Sequence, residues 1–343
     1  MKAHGKWRHR ISSESSHVAI SVFGGVSMNK KKIMILFLAL MTLSITACGQ
    51  DATADDESMQ NQIETDHNEN GDVLEPEPIE FQQGEVKQIG YEYYGIDSLH
   101  EEGTTGRGVK IAILDTGIDI DNQDLVYEDS INFISDDASD IMDENGHGTK
   151  IAGIIAARKD GEGMIGIAPD AELYICKISD SYGTTNNRLL TEGIEWAIEK
   201  DVDIINISIE FDKEYNDITQ AMQEAADKGI IILASAGNQN TEEKDNEVKF
   251  PAKLEDAISV SMLGKDGEIF EYAIQSDEVD VYAPGDDVVA TTFDNKLIVS
   301  TDNSSAVAYA SGVTALLMQQ NEKQLDQQMA INLLNDFFGN GKQ

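Results

Sequence analysis

Two cysteines in 343 residues are too few for a disulfide framework. The fold must therefore rest on apolar packing, for which 41% hydrophobic residues suffice in one large domain plus a leader and a linker. Basic residues are also scarce. Lys and Arg number 25 against 63 Asp and Glu, a formal net charge of −38. A surface of that sign repels phosphates and excludes a nucleic-acid partner. It suits a solvated chain, or one that draws in basic peptides. The apolar run 33–46 is too short for a comfortable membrane span. No segment repeats, and no Gly-x-Ser-x-Gly elbow is present, which argues against an esterase of that architecture.

The N-terminal quarter reads as a segment for export and tethering. Lys30, Lys31 and Lys32 precede the apolar run, which closes on Ile45-Thr46-Ala47-Cys48. Residues 28–47 thus read as a signal peptide. Their end resembles a bacterial lipobox, with cleavage before Cys48, a diacylglycerol on its sulfur, and two acyl chains for stable anchoring. An ordinary secretory signal with a chance cysteine is the alternative. Residues 1–27 are polar and precede Met28, which opens a complete signal sequence, so they read as an upstream extension or a mis-assigned start. Residues 51–86 contain no Lys or Arg, twelve acidic residues and two of the five prolines, Pro76 and Pro78. Such a stretch cannot bury enough surface to fold, so 48–86 is expected to be an extended, self-repelling tether. The chain is then expected on the cell membrane, lipid-anchored and facing outward.

From residue 87 onward, strand and helix patterns alternate. Strands are expected at 109–114, 173–178, 202–209, 229–235, 257–262, 279–282 and 287–292. Helices are expected at 148–158, 189–200, 218–228 and 304–320. Cys176 lies in one of the apolar strands and reads as a small core hydrophobe. The alternation predicts an α/β fold, a mostly parallel sheet covered by helices on both faces, with its site at the carboxyl ends of strands.

Three short stretches sit at the edges of these elements: Ile113-Leu114-Asp115-Thr116-Gly117, Asn145-Gly146-His147-Gly148-Thr149 and Asn303-Ser304-Ser305-Ala306. A hydroxyl is a poor nucleophile at neutral pH unless a base takes its proton and a carboxylate orients that base. Asp115 ends an apolar run, where a carboxylate is costly unless paired. Taken alone, a strand-end aspartate capping a turn reads equally well. Four of the six histidines, His4, His9, His17 and His67, fall in the leader or tether, and His100 lies in a polar stretch. His147, between glycines at a helix start, is the candidate base.

The order Asp, His, Ser and the flanking residues resemble the subtilisin-like serine proteases over about 88–318. Gly166-Ile167-Ala168-Pro169, Gly193-Ile194-Glu195-Trp196-Ala197-Ile198, Phe250-Pro251-Ala252 and Tyr282-Ala283-Pro284-Gly285 look like further landmarks of that family. The resemblance implies a subtilisin-like peptidase domain over 87–343. It also implies a triad of Asp115, His147 and Ser304, with Asn238 as the side-chain oxyanion donor. Ser305 adjoins Ser304, but the family's glycine eight residues after its nucleophile matches Gly312 if that nucleophile is Ser304. Gly183, Thr184 and Thr185 match the segment that pairs with an extended substrate. Ser208, Ile209 and Glu210 match one wall of the S1 pocket. Asp124 and Asp160 match ligands of a structural Ca²⁺, with solvated loop acids as the other reading. No cofactor is implied for the chemistry. The Phe250–Pro251 bond is expected to be cis, and the family's folded pro-domain is expected to be missing.

The chain departs from the family at Asp302-Asn303, where Gly-Thr is usual, at Ala308, where Pro is usual, and at Glu210-Phe211, where Gly-Gly is usual. Asp302 raises the prospect of repulsion at the oxyanion. Glu210 and Phe211 are expected to narrow or recharge the S1 pocket and so restrict specificity, with Lys or Arg before the scissile bond. The sequence thus points to a membrane-tethered serine endopeptidase that processes a peptide or precursor as a monomer. The competing reading is an inactive relative that binds peptides or proteins without cutting them.

Overall fold

The computed structural model describes residues 61–62, 84–238 and 246–339. The expected signal segment, Cys48, residues 1–27 and most of the expected tether lie outside the described residues. Among the described residues eleven strands and six α-helices are formed, in chain order: β1 (Asn61–Gln62), α1 (Ile96–Glu101), β2 (Lys110–Asp115), β3 (Asp129–Asn132), α2 (His147–Ala156), β4 (Glu172–Lys177), β5 (Thr184–Thr185), α3 (Asn187–Glu199), β6 (Ile204–Ile207), α4 (Asn216–Asp227), β7 (Ile231–Ser235), β8 (Ile258–Leu263), β9 (Val281–Pro284), β10 (Val288–Thr291), β11 (Leu297–Ser300), α5 (Asn303–Gln320) and α6 (Gln327–Phe338).

Seven strands make one sheet in the order β3-β4-β2-β6-β7-β8-β9. Every neighbouring pair in it is parallel. β2 shows why. Side chains alternate across a strand. Ile111 and Ile113 enter the core shared with α2, α5 and α6, whereas Ala112 and Leu114 enter the core under α3 and α4. A strand buried on both faces reads as an unbroken apolar run, and all four side chains are fully buried.

The helices are placed by caps and by which faces they bury. Asn186 caps α3 through Leu189 N–H at 3.1 Å, and Leu190, Ile194 and Ala197 turn inward. α5 is buried from Asn303 to Met318. A helix enclosed on all sides carries no polar stripe, which suits its place against β6, β7, β8 and β9.

The expected strands and helices are all present, with ends shifted by one to a few residues. β3, β11, α1 and α6 were not foreseen. The folded domain also begins earlier than residue 87. Val86 N–H donates to Gly163 O at 2.8 Å and Val86 O accepts from Ile165 N–H at 2.9 Å. β1, inside the expected tether, pairs antiparallel with β5. His100 comes from a polar stretch of sequence but does not lie on the surface. It is buried, with Tyr91 O–H at 2.8 Å from Nδ1 and Ile167 O at 2.9 Å from Nε2. Cys176 is fully buried, and burial pushes its thiol well above the usual range. The Phe250–Pro251 bond is cis. Among the described residues no helix is long and apolar enough to cross a membrane.

Candidate active site

The site is assembled at the carboxyl end of β2. Asp115 is the last residue of that strand, and its Oδ1 accepts the Thr116 N–H at 2.7 Å. The chain then turns through Gly117 at φ 113°, a left-handed value that favours glycine. α2 starts directly against this turn. Gly148 N–H donates to Thr116 Oγ1 at 2.9 Å, and a Cβ on Gly148 would fall 2.2 Å from Gly117 O. Only glycine lets the helix approach so closely, and the approach brings His147 onto Asp115.

His147 Nδ1 lies 2.8 Å from Asp115 Oδ1 and 2.9 Å from Oδ2. Both side chains are almost wholly enclosed, 3% and 1% exposed. Nδ1–H therefore donates to the carboxylate, which leaves Nε2 as the free lone pair of the neutral ring. Nε2 is buried and meets no hydrogen-bond partner among the described residues. A residue that sequence reasoning passed over holds the start of α2. Asp143 accepts Asn145 and Gly146 N–H through Oδ1, and Thr149 N–H and O–H through Oδ2. Its signal was an aspartate shortly before a helix start.

Ser304 is the second residue of α5, which packs against α2. It keeps 8% exposure, whereas Ser305 is fully buried and its hydroxyl donates to Ser300 Oγ at 3.1 Å. Gly312 passes over Ile167, whose Cβ would lie 2.6 Å from an added Cβ. Asp302 caps α5 through Ser305 N–H at 2.6 Å and pairs with Lys150 of α2.

Asn238 follows β7 and Gly237, which has φ 102°; its backbone bridges Ala273. Residues 239–245 beyond it are outside the described set. Among the expected substrate-binding residues, Gly183 leads into β5. Thr184 is half-buried, and Thr185 is enclosed with its hydroxyl donating to Ile178 O at 2.7 Å. Ser208 is buried, and its hydroxyl meets no hydrogen-bond partner among the described residues. Ile209 is fully buried in the core, so its side chain cannot line a pocket, only its backbone can. Phe211 is likewise no pocket wall. It is 2% exposed and packs on Tyr215 and Phe250, with ring centroids 5.3 and 6.3 Å away. Glu210 is half-buried and accepts from Ser235 Oγ at 3.0 Å. Ser235 in turn accepts from Asn303 Nδ2 at 2.8 Å, so a hydrogen-bond chain runs from Glu210 to the residue before Ser304.

Asp124 is buried, and Met164 N–H reaches its Oδ2 at 3.3 Å. Burial, opposed by that hydrogen bond and reinforced by Asp160 and Glu85, raises its carboxyl above the usual range. Asp160 is exposed and lies 3.5 Å from Arg158. Among the described residues no three acidic, histidine or cysteine side chains converge as metal ligands. Asp124 and Asp160 supply two carboxylates, oxygen donors of the kind a hard cation takes.

The description Subtilase family matches residues 106–336. The chain is 35% identical over 222 residues to an intracellular serine protease of Paenibacillus polymyxa, covering 63% of this chain and 68% of that protein. It is 31% identical over 246 residues to subtilisin E of Bacillus subtilis, covering 69% and 65%. It is 31% identical over 236 residues to the major intracellular serine protease of the same bacterium, covering 67% and 74%. The chain thus spans 65% of subtilisin E, just under two thirds of its length.

Proposed function

The chain belongs to the subtilase family and is a serine endopeptidase of the subtilisin type, and from that premise we propose that it is a membrane-tethered processing protease of narrow specificity. In this reading Ser304 Oγ attacks the substrate carbonyl while His147 Nε2 takes its proton. Asp115 holds the imidazole in the tautomer that leaves Nε2 free and stabilises it once charged. His147 then protonates the departing amine, and water repeats the cycle on the acyl-enzyme. Asn238 and the N–H of Ser304 donate to the oxyanion, with the positive N-terminus of α5 behind them.

The observation that carries this reading is the enclosed contact of His147 Nδ1 with both oxygens of Asp115. A fluorophosphonate probe tests it. An adduct located on Ser304 by mass spectrometry, and lost in His147→Ala, is the expected result. A folded wild-type chain that takes no label at Ser304 sinks the catalytic reading in favour of a peptide-binding relative.

The finer parts of the proposal have their own support. Tethering rests on Lys30–Lys32, the apolar run and Cys48, and fails if the mature N-terminus carries no diacylglycerol. A preference for Lys or Arg before the scissile bond rests on the half-buried Glu210 and the acidic chain. Cleavage sites from a peptide library with no basic preference would reject it. Structural Ca²⁺ on Asp124 and Asp160 rests on the repulsion among Asp124, Asp160 and Glu85, which a cation would relieve. An unchanged melting temperature after chelation by EGTA counts against it.

A further inference from the structure

α2 carries His147 and α5 carries Ser304, and one side-chain contact ties these two helices together beside both residues. Lys150 stands on α2 about one turn after His147. Its Nζ lies 2.5 Å from Oδ2 of Asp302, the cap of α5 two residues before Ser304. The same carboxylate accepts the Ser300 O–H at 2.7 Å and, through Oδ1, the Ser305 N–H at 2.6 Å. Asp302 thereby joins the end of β11, the first turn of α5 and the second turn of α2. The pair is largely enclosed, with side chains 9% and 25% exposed.

Burial by itself would raise the Asp302 carboxyl. The charge of Lys150, with the hydrogen bonds from Lys150 and Ser300, outweighs that and holds it well below the usual carboxylate range. Asp302 is therefore an ionised acceptor with its bonds made, not a stray charge turned toward a developing oxyanion. Its charge is matched by a lysine on the helix that also carries the base.

We propose that Lys150 and Asp302 are positioning residues, a buried ion pair that fixes the start of the nucleophile helix against the base helix and so sets the approach of Ser304 Oγ to His147 Nε2. The inference rests on the reading of Ser304 and His147 as nucleophile and base. Misplacement by about 1 Å costs up to roughly 100-fold in rate, and breaking a buried pair leaves one charge uncompensated. Either loss is thus expected to undo the same placement, so the two losses are not additive.

The test uses the full chain as wild type, Asp302→Asn, Lys150→Met and the double variant. Ser304 labelling is measured on each, together with kcat and KM on an internally quenched peptide. Asparagine keeps the helix cap while removing the charge. Each single variant is expected to lose about 10- to 100-fold in kcat with KM unchanged, and the double variant to lose about as much as the worse single variant, because all three break the same tie. A purely structural pair would lower the melting temperature and leave kcat of the folded protein alone, which overturns the proposal. A rise in kcat in Asp302→Asn also overturns it, in favour of a repulsive brake. Failure of folded wild type to label at Ser304 overturns the functional reading and the clamp with it, whereas labelling with equal kcat in all four proteins overturns the clamp alone. Where a single variant does not fold, Ser300→Ala gives the same readout. A several-fold fall in kcat at constant KM supports the clamp, and an unchanged kcat rejects it.

Discussion

One nitrogen of His147, Nδ1, lies within 2.9 Å of both carboxylate oxygens of Asp115, so the ring is held by an acceptor-only group. Replacing that group by an amide offers Nδ1 an N–H donor. The ring then satisfies the contact best with its proton on Nε2, the tautomer that cannot take a proton from Ser304. Asp115→Asn is therefore expected to keep the fold and lose about 10⁴-fold in kcat. A loss of less than tenfold, in protein with wild-type circular dichroism, would argue that the imidazole is oriented by something else.

β1 occupies the edge of β5, with Asn61 opposite Thr185 and Gln62 opposite Thr184. In the reading in which that edge takes an extended substrate, residues 61–62 and a substrate compete for it. When a site is open only part of the time, the apparent affinity falls by the open fraction. Proline has no N–H to give to a ladder. The full chain carrying Asn61→Pro and Gln62→Pro is expected to show a lower KM with kcat unchanged. Identical KM values for variant and wild type would mean that the pairing does not limit access.

The central strands were legible because a parallel strand covered on both faces must be apolar along its length, as Ile111 to Leu114 are. β3 escaped because it is an edge strand of sequence Asp-Ser-Ile-Asn, only half-buried, and its polar residues resemble a loop. α6 had a usable signal, Ala330, Leu334 and Phe338 at four-residue spacing on the buried face, which was passed over. Asp115 and His147, which the structure brings into contact, were readable because each sits in a short motif at an element end. The pairing of Lys150 with Asp302 was not, since the two are 152 residues apart and meet only when α2 and α5 pack. Phe211 misled for a related reason. Its place beside Glu210 suggested a pocket wall, but alternation along the chain sends it into the aromatic cluster with Tyr215 and Phe250.

Gly312 links the site to the core. α5 runs so close to Ile167 that an added Cβ would meet Ile167 Cβ at 2.6 Å and Cγ2 at 2.9 Å. Both α5 and the Ile167 segment are enclosed there, so neither yields freely. Overpacking of this kind typically costs about 1–3 kcal/mol. Gly312→Ala is expected to lower the unfolding free energy by that amount and to reduce kcat. Stability equal to wild type in urea denaturation would mean that the core around Ile167 adapts freely.

His100 offers a pH test away from the catalytic machinery. Burial holds its imidazole below the usual range, against the opposing hydrogen bond to Ile167 O. That contact makes Nε2–H the donor and leaves Nδ1 to accept from Tyr91 O–H. A folded-state value below the unfolded one means that the unfolded chain takes up the proton first as pH falls. Stability from this residue is therefore complete above about pH 6.5. It declines as pH drops from there toward the folded-state value, by up to roughly 1.4 kcal/mol per pH unit. Glutamine at this position does not titrate and still offers an N–H and a carbonyl oxygen. His100→Gln is expected to be less stable than wild type at pH 7.5, with the gap narrowing in urea denaturation over the first unit below pH 6.5. Parallel stability curves for the two proteins over that interval would show that the buried imidazole takes no part in the acid response.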